Sequence, residues 1–209
     1  MDLSNGVNTH QQKYLGEQFK QRHKPTKAQA EAAVRVLLEY IGEDPLRDGL
    51  QETPARVVRA WLEYCAGYSS DPVTLLKTTF ENPEKYSEPV VLRDISFVSH
   101  CEHHLAPING VADIAYIPSK RVVGISKIAR VVECFARRLQ TQETMTAQIA
   151  NCIHDSLMPA GTAVRTRATH ACMTNRGVCK SGTLMTATAF KGTFENDPAL
   201  KTQFLSGQI

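Results

Sequence analysis

The chain has 209 residues, of which 42% are hydrophobic and 22% charged, which predicts a globular protein with a core large enough to fold without staples. The formal net charge of +3 is too small to indicate nucleic-acid binding, which usually needs a run of basic residues. No segment approaches the roughly 18 apolar residues that span a bilayer, so we expect no membrane partner. Because the six cysteines are irregularly spaced and residues 1–24 contain no apolar signal core, we expect a reducing, cytoplasmic location.

The first part of the chain is predicted to be helical. Residues 1–24 are polar and lack periodicity, which predicts a flexible N-terminal tail. From residue 25, apolar side chains recur at helical spacing as far as Ile41. A second helix is predicted to begin at Thr53, where a threonine precedes a proline. A proline-containing connection then closes this helical part, which we bound at residues 25–88.

The remainder, residues 89–209, is predicted to form a domain in which pairs of strands flank a pair of helices. Stretches rich in Val and Ile predict strands, and Asn109-Gly110 is typical of a turn between the first two. The predicted elements are strands at 90–99 and 111–117, helices at 128–139 and 145–157, and strands at 162–173 and 183–191. This order predicts an α+β fold, with two helices layered on one face of an antiparallel four-stranded sheet.

Two short Cys/His clusters that lie far apart in the sequence are its most specific feature. The clusters are Cys101-Glu102-His103-His104 and His170-Ala171-Cys172. Cys and His are preferred zinc ligands, and separated ligand pairs are typical of a metal held between two elements. If residues 162–173 form one strand, the side chains at 170 and 172 point to the same face. The sequence therefore predicts a zinc site.

Spacing alone leaves three interpretations of these residues open. The first is a closed structural zinc site with Cys101, His104, His170 and Cys172 as ligands. The second keeps three protein ligands and leaves the fourth position to water, so that His170 and His103 serve as acid and base. The third is a set of buried polar residues without a metal. The length of the chain favours the second over the first, because a domain of this size hardly needs a metal to fold.

Cationic side chains near predicted helix starts form a candidate anion-binding set. The free N–H groups and the dipole of a helix N-terminus favour negative charge there. Each cation alone is more typical of a solvated helix face. The candidate set is Arg56, Arg59, Ser126, Lys127, Arg130 and Arg176.

Glu143 either complements the dipole of the next helix or binds the donor-rich edge of a base.

Taken together, these motifs resemble the GTP cyclohydrolase I family, over about residues 26–190. The first and last of the shared motifs are highly specific in combination. The motifs that carry the resemblance are Cys101-Glu102-His103-His104-Leu105, Ala115-Tyr116-Ile117-Pro118, Gly124-Ile125-Ser126-Lys127-Ile128, Gln142-Glu143, His170-Ala171-Cys172-Met173 and Arg176-Gly177.

The resemblance implies an architecture and a metal site. It implies Zn²⁺ held by Cys101, His104 and Cys172, with the fourth position open. It also implies the tunnelling fold, in which strands from many subunits form a barrel, and a toroidal homodecamer with active sites between subunits.

The resemblance further implies the reaction: GTP is converted to 7,8-dihydroneopterin triphosphate and formate, at the entry to pterin and tetrahydrofolate synthesis. His170 would give a proton to N7 of guanine while zinc activates water for attack on C8, and His103 would assist proton transfer. The substrate itself would be held by a further set of residues. Gln142 and Glu143 would bind the guanine edge, Ser126 and Lys127 the sugar and phosphates, and Arg56, Arg59, Arg130 and Arg176 the triphosphate.

Two alternatives stay open beside this hypothesis. One is a non-catalytic interaction module stabilised by zinc. The other is a related tunnelling-fold enzyme that acts on a different purine or pterin.

Overall fold

The computed structural model describes residues 24–82 and 84–209. The tail predicted for residues 1–24 lies outside the described residues, apart from Lys24. The helices are α1 (Lys27–Tyr40), α2 (Thr53–Tyr64), α3 (Pro72–Leu75), α4 (Ile125–Ala136), α5 (Gln142–Leu157), α6 (Ala171–Thr174), α7 (Thr193–Asn196) and α8 (Pro198–Ser206), with a 3₁₀ turn at Ala66–Ser69. The strands are β1 (Thr79–Glu81), β2 (Val90–Cys101), β3 (Pro107–Ile117), β4 (Arg121–Val123), β5 (Leu139–Gln140), β6 (Gly161–His170) and β7 (Met185–Gly192).

The main sheet has the strand order β5-β2-β3-β6-β7. Its four long strands are antiparallel to their neighbours. The predicted α+β class and the antiparallel four-stranded sheet are thus confirmed. The structure adds β5, a two-residue strand that pairs in parallel with the end of β2. The predicted connection before residue 89 contains α3 and also β1, which pairs with β4. The domain boundaries themselves stay a prediction.

Helices α4 and α5 cover one face of the sheet, as predicted. Alternation along β3 sends Ile114 and Tyr116 to this face, where they join Phe135 of α4 and Ile149 of α5 in the main core. The opposite face is covered at one end by the C-terminal helices α7 and α8, which the sequence analysis did not predict. Phe204 is fully buried in that smaller cluster.

The turn predicted at Asn109-Gly110 is wrong, because both residues lie within β3. They pair with Val98 and Phe97 of β2. A Cβ on Gly110 would come within 2.4 Å of the Arg167 carbonyl oxygen and 2.8 Å of the Phe97 ring. Glycine is therefore required here by the close packing of neighbouring strands and not by a turn. The connection between β2 and β3 is instead the segment 102–106, which belongs to the first Cys/His cluster.

A buried carboxylate organises the sheet face opposite α4 and α5. Asp113 of β3 has no exposed side-chain surface, and its Oδ2 lies 2.6 Å from Nη2 of Arg165, 3.5 Å from Arg167 and 3.6 Å from Arg93. Its Oδ1 accepts a hydrogen bond of 2.9 Å from the backbone N–H of Asp94. Burial alone would raise the pKa of Asp113, but the Asp94 hydrogen bond and the guanidinium groups hold it below the ordinary value of 3.8.

Asp113→Asn is expected to destabilise the fold near pH 7 by about 3 kcal/mol, because it leaves the guanidinium groups without their buried partner. Since the folded-state pKa lies below 3.8, the carboxylate stabilises the fold above that pH, and this contribution is lost as the pH falls through the folded-state pKa. The difference between variant and wild type should therefore shrink below about pH 4 in urea unfolding curves.

Asp94→Asn is the matched control. It removes a carboxylate that is 68% exposed but keeps the backbone N–H that binds Asp113, so it should cost less than about 1 kcal/mol. Equal stability of Asp113→Asn and wild type at pH 7 would contradict this account of the sheet.

Candidate metal centre

The hairpin turn between β2 and β3 presents the first Cys/His cluster. The turn is held by Cys101 N–H to the Ala106 carbonyl and by Leu105 N–H to the Cys101 carbonyl, both at 2.8 Å. Glu102 N–H donates to the Gln140 carbonyl of β5 at 3.1 Å. Leu105 adopts a positive φ of 56°, which reverses the chain within a few residues. Cys101 is therefore buried at the strand end while the residues after it project from the turn.

Cys172 reaches the site from a helical turn, so the strand predicted through residue 173 is wrong. β6 ends at His170, and Cys172 lies in α6. His170 pairs with Ile108, and the residue before Ile108 is Pro107, which has no N–H to continue the ladder. The chain turns into a helix at this point. The same-face argument for residues 170 and 172 consequently fails, although both residues still lie near the first cluster.

Cys101, His104 and Cys172 form the one group of three or more potential metal ligands among residues 24–82 and 84–209. Their ligand atoms all lie within 4.8 Å of one another, and Cys101 Sγ is 3.9 Å from His104 Nδ1. Tetrahedral zinc with ordinary bond lengths would need about 3.5 to 3.8 Å between ligand atoms. His103 Nδ1 also lies 3.7 Å from Cys101 Sγ. The three side chains need only a small adjustment to bind one ion.

The electrostatics of the two thiols fit a cation between them. Burial and the neighbouring Cys101 raise the pKa of the Cys172 thiol, while Arg176 opposes the rise. Two adjacent thiolates are unfavourable unless a positive charge separates them. Two sulfurs and one imidazole are a donor set that zinc accepts well. The effect of Arg176 on Cys172 also puts this predicted phosphate-binding residue beside the cluster.

His170 is not a member of the ligand group, which argues against the closed Cys₂His₂ interpretation. Its Nε2 lies 2.8 Å from Oε1 of Gln142 at the start of α5. Burial lowers the pKa of His170, and the nearby negative charge of Glu143 acts in the opposite direction. The imidazole and the carboxylate of Glu143 therefore face the same region, with Glu143 exposed.

The remaining predicted residues are not brought to this cluster within the chain. Ser126, Lys127 and Arg130 lie in the first turns of α4, and Arg56 and Arg59 lie on α2, where both are exposed. In the described part of the chain, none of the five forms a hydrogen bond or ion pair with the Cys/His cluster.

The sequence analysis did not identify the buried polar cluster that contacts His170 through Gln142. Gln142 was predicted to contact substrate, but its side chain is fully buried and its Nε2 faces Thr166 and the backbone of Met185. Thr146 completes this group. The available signal was weak: a threonine at a core-facing position of a strand, and another within an apolar helix face.

The fold and the site define an α+β protein with a Cys/His/Cys cluster that could hold a metal ion. A profile of the family described as GTP cyclohydrolase I matches residues 30–208. The chain belongs to the GTP cyclohydrolase I family.

Curated relatives named GTP cyclohydrolase 1 match most of the chain. The protein from Maricaulis maris (strain MCS10) is 54% identical over 182 residues, which cover 87% of this chain and 89% of that protein. The protein from Hyphomonas neptunium (strain ATCC 15444) is 53% identical over 183 residues, and the protein from Bartonella quintana (strain Toulouse) is 51% identical over 184 residues. Each of these two alignments covers 88% of this chain and 89% of the relative.

Among solved structures, the archaeosine synthase QueF-Like in the apo form matches with a TM-score of 0.42 and 16% identity, over 50% of this chain and 93% of that chain. This similarity is too weak to support an inference about the chain. Within the described residues, none of the helices has both the length and the apolar character needed to cross a membrane.

Cys101→Ala and Cys172→Ala are each expected to lose a bound metal ion, because each removes one of the three side chains that could hold it. Zinc content per chain, measured by mass spectrometry after gel filtration, checks this. Cys179→Ser is the control, since this exposed thiol lies outside the ligand group and its loss should leave the zinc content unchanged. Full zinc content in Cys172→Ala would contradict the assignment.

Proposed function

We propose that this chain is a zinc-dependent GTP cyclohydrolase, which converts GTP to 7,8-dihydroneopterin triphosphate and formate in the first step of pterin and tetrahydrofolate biosynthesis. The observation that carries the proposal is the grouping of His170 and Glu143 beside the Cys101/His104/Cys172 cluster. Membership of the family supports the same conclusion.

The metal would be held by Cys101, His104 and Cys172. When bound, zinc lowers the pKa of water to about 7 and so supplies hydroxide at neutral pH. Three protein ligands leave a position open for this purpose, whereas a structural site fills all four.

Proton transfer is assigned to two histidines beside the ligands. His170 would donate a proton to N7 of guanine as the oxygen of water bonds to C8. Cleavage of a C–N bond at C8 would then open the imidazole ring of the substrate. His103 is exposed and lies 3.7 Å from Cys101 Sγ, so it can exchange protons with both the site and solvent. Release of formate, rearrangement of the ribose and closure of the new six-membered ring would follow.

Guanine recognition is assigned to Glu143. Its carboxylate is exposed at the N-terminal end of α5 and close enough to His170 to influence the pKa of that imidazole. A carboxylate can accept hydrogen bonds from N1–H and the 2-amino group of guanine, whereas adenine offers no such pair of donors.

Triphosphate binding is assigned to Arg176 together with cations from other subunits. Lys127 and Arg130, with Ser126 near the sugar, lie on α4, and Arg56 and Arg59 lie on α2. Because these residues do not contact the cluster of their own chain, a site shared between subunits accounts for them better than a site within one chain.

The surface of the chain supports assembly into the toroidal homodecamer of the tunnelling fold. The edge strands of the sheet are β7 and the two-residue β5, which pairs with β2 only at His100 and Cys101 and leaves the rest of that β2 edge open. Such edges pair readily with other chains. Helix α1 buries none of its residues, and Tyr40 at its end is 87% exposed. An apolar surface of this kind is typical of a subunit interface.

A cytoplasmic location completes the proposal. All six cysteines are free thiols, as expected in a reducing compartment.

His170→Ala is expected to keep zinc and to lower formate release by about 100-fold or more, the usual contribution of a positioned proton donor. Formate assay and zinc content are measured on the same sample. His154→Ala is the control, because its imidazole lies toward the far end of α5, about 18 Å along the helix from Gln142, and bonds to Thr162. Loss of zinc in His170→Ala would instead support the closed Cys₂His₂ site.

Mixed oligomers test the shared active site. Lys127→Ala and His170→Ala are each expected to be inactive alone, because each lacks one essential group at every site. Oligomers reconstituted from both variants and purified through two different tags should regain formate release, since some sites then combine an intact Lys127 with an intact His170. No regain in verified mixed oligomers would mean that both groups act from the same chain.

A further inference from the structure

A small polar cluster lies buried in the apolar core directly beneath the candidate acid. Gln142, Thr146 and Thr166 have no solvent exposure. They lie between α5 and β6, among the side chains of the main core. Buried amides and hydroxyls are costly unless their hydrogen bonds are satisfied. The cluster is therefore expected to hold a defined hydrogen-bond pattern.

The orientation of the Gln142 amide follows from its partners. Nε2 lies 3.1 Å from the carbonyl oxygen of Thr166 and 3.1 Å from the carbonyl oxygen of Met185. Carbonyl oxygens only accept hydrogen bonds, so the atom facing them must be the nitrogen. The reversed amide would bring Oε1 against two carbonyl oxygens. Oε1 is therefore fixed on the side of His170, 2.8 Å from its Nε2.

The hydroxyl groups of Thr146 and Thr166 complete the pattern. Thr146 Oγ1 donates to the carbonyl oxygen of Gln142 at 2.6 Å, which commits its one hydrogen. The contact of 2.7 Å between Thr146 and Thr166 must then carry the hydrogen of Thr166. Thr166 Oγ1 is left to accept from Nε2 of Gln142 at 3.0 Å. The two hydrogens of Nε2 thus serve three acceptors, one hydrogen being shared, and these contacts hold the amide in one orientation.

We infer that Gln142 is a positioning residue, which fixes the tautomer and ring orientation of His170. Because Oε1 can only accept, Nε2 of His170 carries a hydrogen, and the lone pair of the neutral imidazole lies on Nδ1. This inference rests on the proposed role of His170. As the acid, His170 is the protonated ring with a hydrogen on each nitrogen. The proton on Nδ1 passes to N7 of guanine, the electron pair of that N–H bond stays on Nδ1 as the lone pair of the neutral ring, and the hydrogen on Nε2 remains bonded to Gln142.

The inference gives Gln142 a task different from binding the guanine edge. An amide with both hydrogens and its oxygen engaged inside the chain has no donor left for substrate. Glu143, the next residue on α5, is exposed. Gln142 and Glu143 would then have different roles. The side chain of Gln142 is directed into the core and orients His170, whereas that of Glu143 is directed outward to the base.

Gln142→Met tests the inference with a side chain of similar length that cannot accept from His170. We expect kcat for GTP to fall about 10- to 100-fold, the range seen when a functional histidine loses its orienting partner, while KM changes less than about threefold and zinc content stays full. Gln148→Met is the matched control. That partly buried amide on the same helix accepts a hydrogen bond from Gln140 at 2.9 Å and does not bond to a catalytic group, so kcat should be retained.

A kinetic result of the opposite kind would overturn the inference. If KM rises with kcat unchanged in Gln142→Met, the amide binds substrate. If Gln148→Met lowers kcat as much as Gln142→Met does, the loss reflects general damage to the core.

The nitrogen-15 spectrum of the wild-type protein, labelled at histidine, provides a readout that needs no variant of Gln142 to fold. The signal of His170 is identified by its absence in His170→Ala, and it should report hydrogen on Nε2 of the neutral ring. Hydrogen on Nδ1 would overturn the inference. Normal GTP turnover by His170→Ala would overturn the proposed acid itself, whereas the spectrum would still report the tautomer, so the two failures are distinguishable.

Discussion

The register of β3 against β2 and β6 is the constraint on which the site depends. His100 pairs with Pro107 and Ile108 pairs with His170, so the hairpin turn and the end of β6 meet at one end of the sheet. A slip of one residue would send each affected side chain to the opposite face. It would also separate Cys101 from Cys172. Packing in the sheet interior therefore sets the distance between the two halves of the ligand set.

Gly110 and Pro107 enforce this register in different ways. Gly110 lets β2, β3 and β6 approach more closely than a side chain would allow. Pro107 ends the ladder because it has no N–H, and β6 gives way to α6 at the same level. One end of β3 thus decides both where the strands stop and where the chain turns to present Cys172.

The buried polar groups on the two faces of the sheet have different roles. On the face away from α4 and α5, Asp113 binds arginines and contributes to stability. On the helix face, Gln142 and its threonine partners lie beneath His170. Each group is costly to bury alone and acceptable once paired. The apolar core around the Gln142 cluster excludes water that would otherwise compete for the same hydrogen bonds.

Much of this could be predicted from the sequence, because local periodicity and ligand chemistry are local signals. Helical spacing predicted α4 and α5, and the two Cys/His clusters predicted the ligand set that the structure brings together. Asn109-Gly110 was misread, since the same dipeptide suits a turn and a crowded strand. Cys172 was assigned to a strand, because the proline that ends the ladder lies on a different strand, far away in sequence.

The support of His170 could not be predicted, since the tertiary packing of α5 on β6 creates it. Thr166 lies on a strand and Gln142 on a helix, and no spacing rule links them. The residues proposed to bind phosphate pose the complementary problem. Lys127 lies in a motif of the resemblance, yet within one chain it forms no hydrogen bond or ion pair with the Cys/His cluster, and we therefore propose a pocket shared with a second subunit.

Stepwise return of zinc to chelated protein tests the central claim most directly, namely that the Cys/His/Cys centre converts GTP. GTP consumption and formate release are measured at each zinc level on one preparation. The account predicts that both rise together in a one-to-one ratio and stop rising at one zinc per chain. Zinc-loaded protein that leaves GTP unchanged, or zinc-free protein that releases formate at the same rate, would contradict it.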